Sequence, residues 1–148
     1  MNRLKILLAI SLAVINMPTQ AEQATAITVY RSPSCSCCGK WIAHLKQNNF
    51  VIKEIMSDDM DAIKKQHGVS DDMASCHTAL VDGYVIEGHV PADDIKTLLK
   101  TKPKVAGIAV PQMPAGTPGM EMGNKKDPYN VMSFDQNNQY QVFKSHTE

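Results

Sequence analysis

Three of the four cysteines, Cys35, Cys37 and Cys38, stand within four residues of one another, and only Cys76 lies apart. This spacing constrains the fold more than any other feature of the chain. An even cysteine count outside the cytosol usually means a disulfide framework, and four cysteines allow three pairings. Here any bridge inside 35–38 closes a loop too small to restrain the unfolded chain appreciably. A chain of 148 residues can also bury a core without covalent staples. The cluster therefore points to redox or metal chemistry, and the fold must present it at the surface.

Residues 1–21 lead to the expectation that the cysteines lie in an exported chain. Arg3 and Lys5 precede the apolar run Ile6–Ile15, and a polar stretch with Pro18 leads to Ala21. That is the order of a secretory signal peptide, with cleavage expected near Ala21 and 22–148 as the mature domain. The apolar run is too short to cross a bilayer of roughly 30 Å, and no later run in the mature chain is a membrane span. Without Arg3 and Lys5 the balance of 15 basic and 15 acidic residues tips slightly negative, which leaves no basic footprint for nucleic acid.

Ala26–Tyr30 is short and rich in β-branched residues, so a strand is expected, broken at Pro33. Trp41, Ile42 and Leu45 recur at helical spacing and predict a helix from about Cys35 to Gln47. Phe50–Met56 predicts a second strand. Ser57-Asp58-Asp59 opens a helix with Met60, Ile63 and His67 on one face, stopped by Gly68. Ala79–Val81 and Tyr84–Ile86 form a hairpin about Asp82-Gly83. Pro91–Asp94 opens a helix whose core face is Ile95, Leu98 and Leu99. The order β-α-β-α-β-β-α predicts an α/β, thioredoxin-like single domain. Val105–Gly123, rich in Pro, Gly and Met, is expected as an ordered loop without regular strand or helix. A terminal hairpin is expected over 131–144.

Cys35 and Cys38 form a C-x-x-C pair at a strand-to-helix junction. There free N–H groups and the helix dipole stabilise a thiolate, which helps both thiol exchange and binding of a soft metal. A dithiol oxidoreductase has no use for the third thiol, Cys37. A single tetrahedral zinc is awkward too, because adjacent Cys37 and Cys38 are not expected to point at one ion. Adjacent thiolates suit a cluster in which sulfur bridges several Cu(I) ions, and soft ligands select Cu(I). Cys76 enters the hairpin beside the C-x-x-C turn and can complete a four-sulfur set, although a free cysteine is often simply a small buried hydrophobe.

His77 and His89 flank that hairpin and are candidate imidazole ligands. His44 and His67, at helical positions, and His146, in the tail, read as ordinary surface. Met113, Met120 and Met122 fall in the Pro/Gly loop, where no periodicity explains burial. They are candidate thioether ligands for Cu(I), while Met56, Met60 and Met73 read as packing residues.

Three segments, CSCCGKW at 35–41, SCHTALVDGYVIEGHVP at 75–91 and GIAVPQMPAGTPGME at 107–121, resemble the CopG-like family of small exported copper-resistance proteins. The likeness runs from about Thr28 to Val131. It implies a thioredoxin-like fold, a periplasmic place in copper resistance, and a copper cluster bridged by cysteine sulfurs that interconverts Cu(I) and Cu(II). Carried over by position, the cluster cysteines are Cys35, Cys37, Cys38 and Cys76. Ser36 and Gln112 depart from the family pattern, which often has glycine at both. Several copper ions per chain are thus expected as cargo, with a copper-export or copper-carrier protein as partner. The rival function is a thiol–disulfide oxidoreductase, with Cys35 as attacking thiolate and Cys38 as resolving thiol.

Overall fold

The structure is a computed structural model that describes residues 24–147, so the leader expected over 1–21 lies outside the described residues. Strand β1 (Thr25–Arg31) turns into helix α1 (Ser36–Gln47). Strand β2 (Phe50–Met56), helix α2 (Met60–Gln66), strands β3 (His77–Val81) and β4 (Tyr84–Glu87) and helix α3 (Ala92–Thr101) follow in the expected order. The chain ends with β5 (Gly107–Ala109), β6 (Tyr129–Phe134) and β7 (Tyr140–His146). All seven strands join one mixed sheet, ordered β2-β1-β3-β4-β5-β6-β7. β1 pairs in parallel with β2, and β4 with β5; the other neighbours are antiparallel.

Alternation along the strands builds two cores. Ile27, Val29, Ala79, Ile86 and Ile108 turn to one face, against Trp41, Ile42 and Leu45 of α1 and Ile95 and Leu98 of α3. Their neighbours Val85, Ala109 and Phe134 turn to the other, against Val69 and Met73. The first core holds α1 rigid beneath the sheet, which matters because α1 begins in the cysteine cluster. Trp41 is fully buried and its indole N–H donates to the Val90 carbonyl oxygen at 2.8 Å.

Four expectations need correction. The segment 105–123 is not wholly irregular, because Gly107–Ala109 forms β5 between β4 and β6. Helix α2 buries Lys64, while Met60, Ile63 and His67 are only half-buried. His44 does more than meet solvent: its Nε2 accepts from the Ala92 N–H at 3.1 Å and caps α3, whose own first residue supplies no side-chain cap. His146 is not an ordinary surface residue. It lies in β7, its Nε2 is 2.7 Å from buried Asp94, and its ring stacks on Tyr129 at 4.6 Å.

Candidate metal centre

The register of the sheet brings the distant cysteines together. Arg31, last in β1, pairs with His77, first in β3, so Cys76 arrives beside the turn that follows β1. Arg31 steadies that turn: its guanidinium donates to the carbonyl oxygens of Ser32 and Cys35 at 3.1 and 3.3 Å and forms an ion pair with Glu54 of β2. Cys35 is the N-cap of α1, its sulfur accepting from the Cys38 N–H at 3.3 Å. On the far side of the hairpin, Thr78 pairs with Glu87, and the Gly88 N–H donates to the His77 carbonyl at 2.9 Å. Gly88 has φ +73°, and a Cβ there would stand 2.6 Å from Ser75 and from the Val110 carbonyl; only glycine lets β4 pass so close. His89 follows directly.

Cys35 and Cys38 are joined as a disulfide, while Cys37 and Cys76 are free. Cys37 Sγ lies 3.4 Å from Cys35 Sγ and 3.9 Å from Cys76 Sγ. All four sulfurs fall within 4.8 Å of one another. Adjacency therefore does not splay Cys37 and Cys38 apart, contrary to the sequence expectation. Four thiolates on one tetrahedral ion stand roughly 3.8 Å apart, so spacing alone does not separate one ion from several.

A second set shares Cys76. Its sulfur lies 2.9 Å from His89 Nε2 and 3.3 Å from His77 Nδ1, and these three donors also fall within 4.8 Å of one another. His89 Nδ1 lies 2.7 Å from the Pro118 carbonyl oxygen. A carbonyl only accepts, so Nδ1 carries the hydrogen and the Nε2 lone pair faces the Cys76 sulfur. A backbone carbonyl behind an imidazole is the usual way to aim a ligand nitrogen. His77 is wholly buried against Trp41, ring centroids 4.2 Å apart, and its Nε2 has no hydrogen-bond partner among the described residues.

The electrostatics suit a metal better than a free proton. Burial, then the neighbouring Cys37, pushes the Cys76 thiol up to about 12, so it is protonated at neutral pH until a metal displaces the proton. Burial holds His77 well below the usual imidazole range, with His89 and Lys64 adding to it, and burial lowers His89 and His44 as well. Neutral imidazole is the form that ligates metals.

These buried rings also set acid sensitivity. Below about pH 6.5 the unfolded chain protonates these rings more readily than the folded chain does, His77 above all, so stability is full above that pH and falls as pH drops. The wholly buried His77 contributes up to ~1.4 kcal/mol per pH unit, and the half-exposed His44 less because solvent screens it. Glu87, raised by burial, acts oppositely: folding holds its proton at higher pH, which offsets part of the loss. Urea unfolding of the metal-free chain should thus show lower stability at about pH 5.5 than at about pH 7.5. His77→Gln should flatten that slope; an unchanged slope would exclude His77 as a source.

The loop 105–123 is seated on this centre. Pro118 holds His89, and a Cβ on Gly119 would come within 2.8 Å of the Trp41 nitrogen and 2.9 Å of the Cys37 carbonyl oxygen. Both Glu121 carboxylate oxygens accept from the Gly119 N–H at 3.0 Å. Met120 is half-buried just after this contact, whereas Met113 and Met122 are 49% and 62% exposed. The structure thus gathers the four predicted cysteines with His77 and His89, and leaves Met113 and Met122 open to solvent. Sequence reasoning missed Glu87, Pro118, Gly119 and Glu121. Their only signal was position, beside a candidate ligand or inside the loop.

Comparison with solved structures decides the family. A structure of copper resistance protein CopG (form 2) superposes with a TM-score of 0.81 at 42% identity, covering 84% of this chain and 100% of that one. The chain belongs to the CopG family. Form 1 of the CopG structure gives a TM-score of 0.80, again at 42% identity, over 85% of this chain and all of the other. Residues 73–120 match the family described as "Protein of unknown function, DUF411". That stretch contains Cys76, His77, His89 and the loop contact at Gly119, but not the cysteines at 35–38. No curated protein matches the sequence. Among the described residues no helix is long and apolar enough to cross a membrane.

Proposed function

We propose that this chain is an exported copper-binding protein of copper resistance, which holds several Cu(I) ions and exchanges them with an export or carrier partner. Residues 1–21 act as the signal peptide and 22–148 as a thioredoxin-like, periplasmic domain. Cys35, Cys37, Cys38 and Cys76 supply thiolates, His77 and His89 imidazoles. Met113, Met120 and Met122 of the loop are further candidate thioether ligands, which suit Cu(I) where thiols would oxidise.

One observation carries the polynuclear reading: Cys76 Sγ belongs to both donor sets. With the Cys35–Cys38 disulfide reduced, the two sets together offer four sulfurs and two nitrogens, more than one tetrahedral ion takes, and a shared thiolate is the natural bridge. Copper is cargo here, so the site must release as well as bind. The Cys35–Cys38 disulfide adds a redox route. Two Cu(I) ions each give one electron to the disulfide, yielding two Cu(II) ions, and two protons complete two thiols.

Anaerobic titration of the reduced mature chain with Cu(I), read by native mass spectrometry against a competing chelator, tests this. Several ions should bind cooperatively. Because Cys76 starts protonated, with its thiol pushed up to about 12, apparent affinity should rise with pH by about tenfold per unit for each proton released. One ion or none, with pH-independent binding, would sink the cluster.

The disulfide also favours a second function, thiol–disulfide exchange by Cys35 and Cys38. That activity should survive Cys37→Ser, since Cys37 takes no part in the bond.

A further inference from the structure

Behind the cluster, on the opposite face of the sheet, lies an ion pair that no metal-binding role accounts for. Glu87 ends β4 with no exposure to solvent, and Lys64 reaches it from α2 at 2.5 Å. Burying a charged pair costs solvation and seldom stabilises more than apolar packing of the same shape, so its retention needs another reason. Its hydrogen bonds supply one. Glu87 Oε1 accepts from the Ser75 N–H at 2.6 Å, and Oε2 accepts from the Thr78 hydroxyl at 2.7 Å. Lys64 donates to the same Thr78 oxygen at 3.2 Å. Ser75 and Thr78 are the residues on either side of Cys76-His77. One buried carboxylate thus grips the chain before and after the two candidate ligands. The Ser75 hydroxyl in turn donates to the Gln112 carbonyl, so the grip extends to the loop seated over the site.

We infer that Glu87, neutralised by Lys64, is a positioning residue that holds the Cys76-His77 segment at the height where its sulfur meets Cys37 and His89. This rests on the copper reading for its benefit to the molecule, but not for its geometry. Cys76 and His77 straddle the start of β3, where a strand end would otherwise fray. The carboxylate removes that freedom from the far side of the sheet, without occupying the ligand face.

Two double substitutions separate grip from charge. Lys64→Met with Glu87→Leu removes both charges and both acceptors. Lys64→Met with Glu87→Gln keeps an acceptor for the Ser75 N–H and gives Thr78 a donor in exchange. In the reduced, metal-free chain, alkylation of Cys76 should quicken by about tenfold in the leucine pair, with Cys37 unchanged, and return toward the parent rate in the glutamine pair. Cu(I) affinity should fall by about 10- to 100-fold in the leucine pair, as for other outer partners of metal ligands. The same pair in a Cys76→Ser background should cost clearly less, because only His77 is then left for the grip to place. Parent-like Cys76 reactivity in the leucine pair, identical behaviour of the two pairs, or an equal affinity loss without Cys76 would each overturn the inference. If the leucine pair does not fold, Thr78→Val removes one of the two holds, and unchanged Cys76 reactivity there overturns it equally. Should the parent chain take up no Cu(I), the copper reading fails alone, and the alkylation rates still decide the positioning role.

Discussion

Cys76→Ser should collapse copper binding from several ions to one or none, with a fall in Cu(I) affinity of at least about 100-fold, or ~2.7 kcal/mol. Its sulfur is the one donor common to the four-cysteine set and the Cys76–His77–His89 set, so its loss separates them. The serine hydroxyl is a hard, neutral oxygen that neither bridges nor selects Cu(I). The fold should be little affected, because Cys76 is half-buried and its nearest partners are other candidate ligands. Cys37→Ser should remove the bridge on the cysteine side only, lowering the number of ions while leaving Cys76 with its two histidines. Native mass spectrometry of the two variants and the parent distinguishes these outcomes. Parent-like stoichiometry in both would eliminate the shared-sulfur arrangement. Neither change touches the Cys35–Cys38 bond, so disulfide exchange measured on the same samples shows whether the two functions are separable.

Much of this centre was legible because its causes are local. A β-branched strand, a break at Pro33 and helical spacing from Cys38 place Cys35 at the start of a helix whatever the rest of the chain does. The Asp82-Gly83 turn likewise fixes the hairpin that carries His77 and His89 at its base. Three features were not legible, each decided by a partner far along the chain. Lys64 stands in a short polar helix and reads as solvated, yet a carboxylate 23 residues later draws it inside. Gly107–Ala109 has little strand propensity of its own within a Pro/Gly segment, but β4 and β6 pair with it on both sides. His146 looks like a tail residue until Asp94 is known to be buried; in sequence that aspartate reads as an ordinary first-turn acid of α3. The adjacency of Cys37 and Cys38 misled for the opposite reason. Neighbouring helical side chains normally diverge, but in the first turn of α1 both sulfurs lie within 4.8 Å of the Cys76 sulfur.

Gly119→Ala should unseat the loop from the metal centre and cost both stability and copper. Gly119 has φ +89°, a conformation that side chains rarely adopt. The added Cβ would also stand 2.8 Å from the Trp41 nitrogen, 2.9 Å from the Cys37 carbonyl oxygen and 3.2 Å from His89 Nδ1. The first two are backbone atoms of α1, held by a core that cannot yield cheaply, so the loop must move instead. Strain of this kind costs of order 1–3 kcal/mol. A domain of this size should then melt several degrees lower, roughly 2–8 °C for each kcal/mol lost. The consequence for the site follows from Pro118, whose carbonyl is the only acceptor holding the His89 Nδ1–H among the described residues. Once it withdraws, His89 can turn or change tautomer, and Nε2 no longer faces Cys76. Cu(I) affinity should fall by about 10- to 100-fold, the usual loss when the partner behind a ligand imidazole is removed. Thermal unfolding together with a Cu(I) competition titration checks both halves. A variant that melts lower but binds copper as the parent does would show that the loop is packing alone. Loss of affinity with the cysteines intact would make the loop part of the copper site through His89.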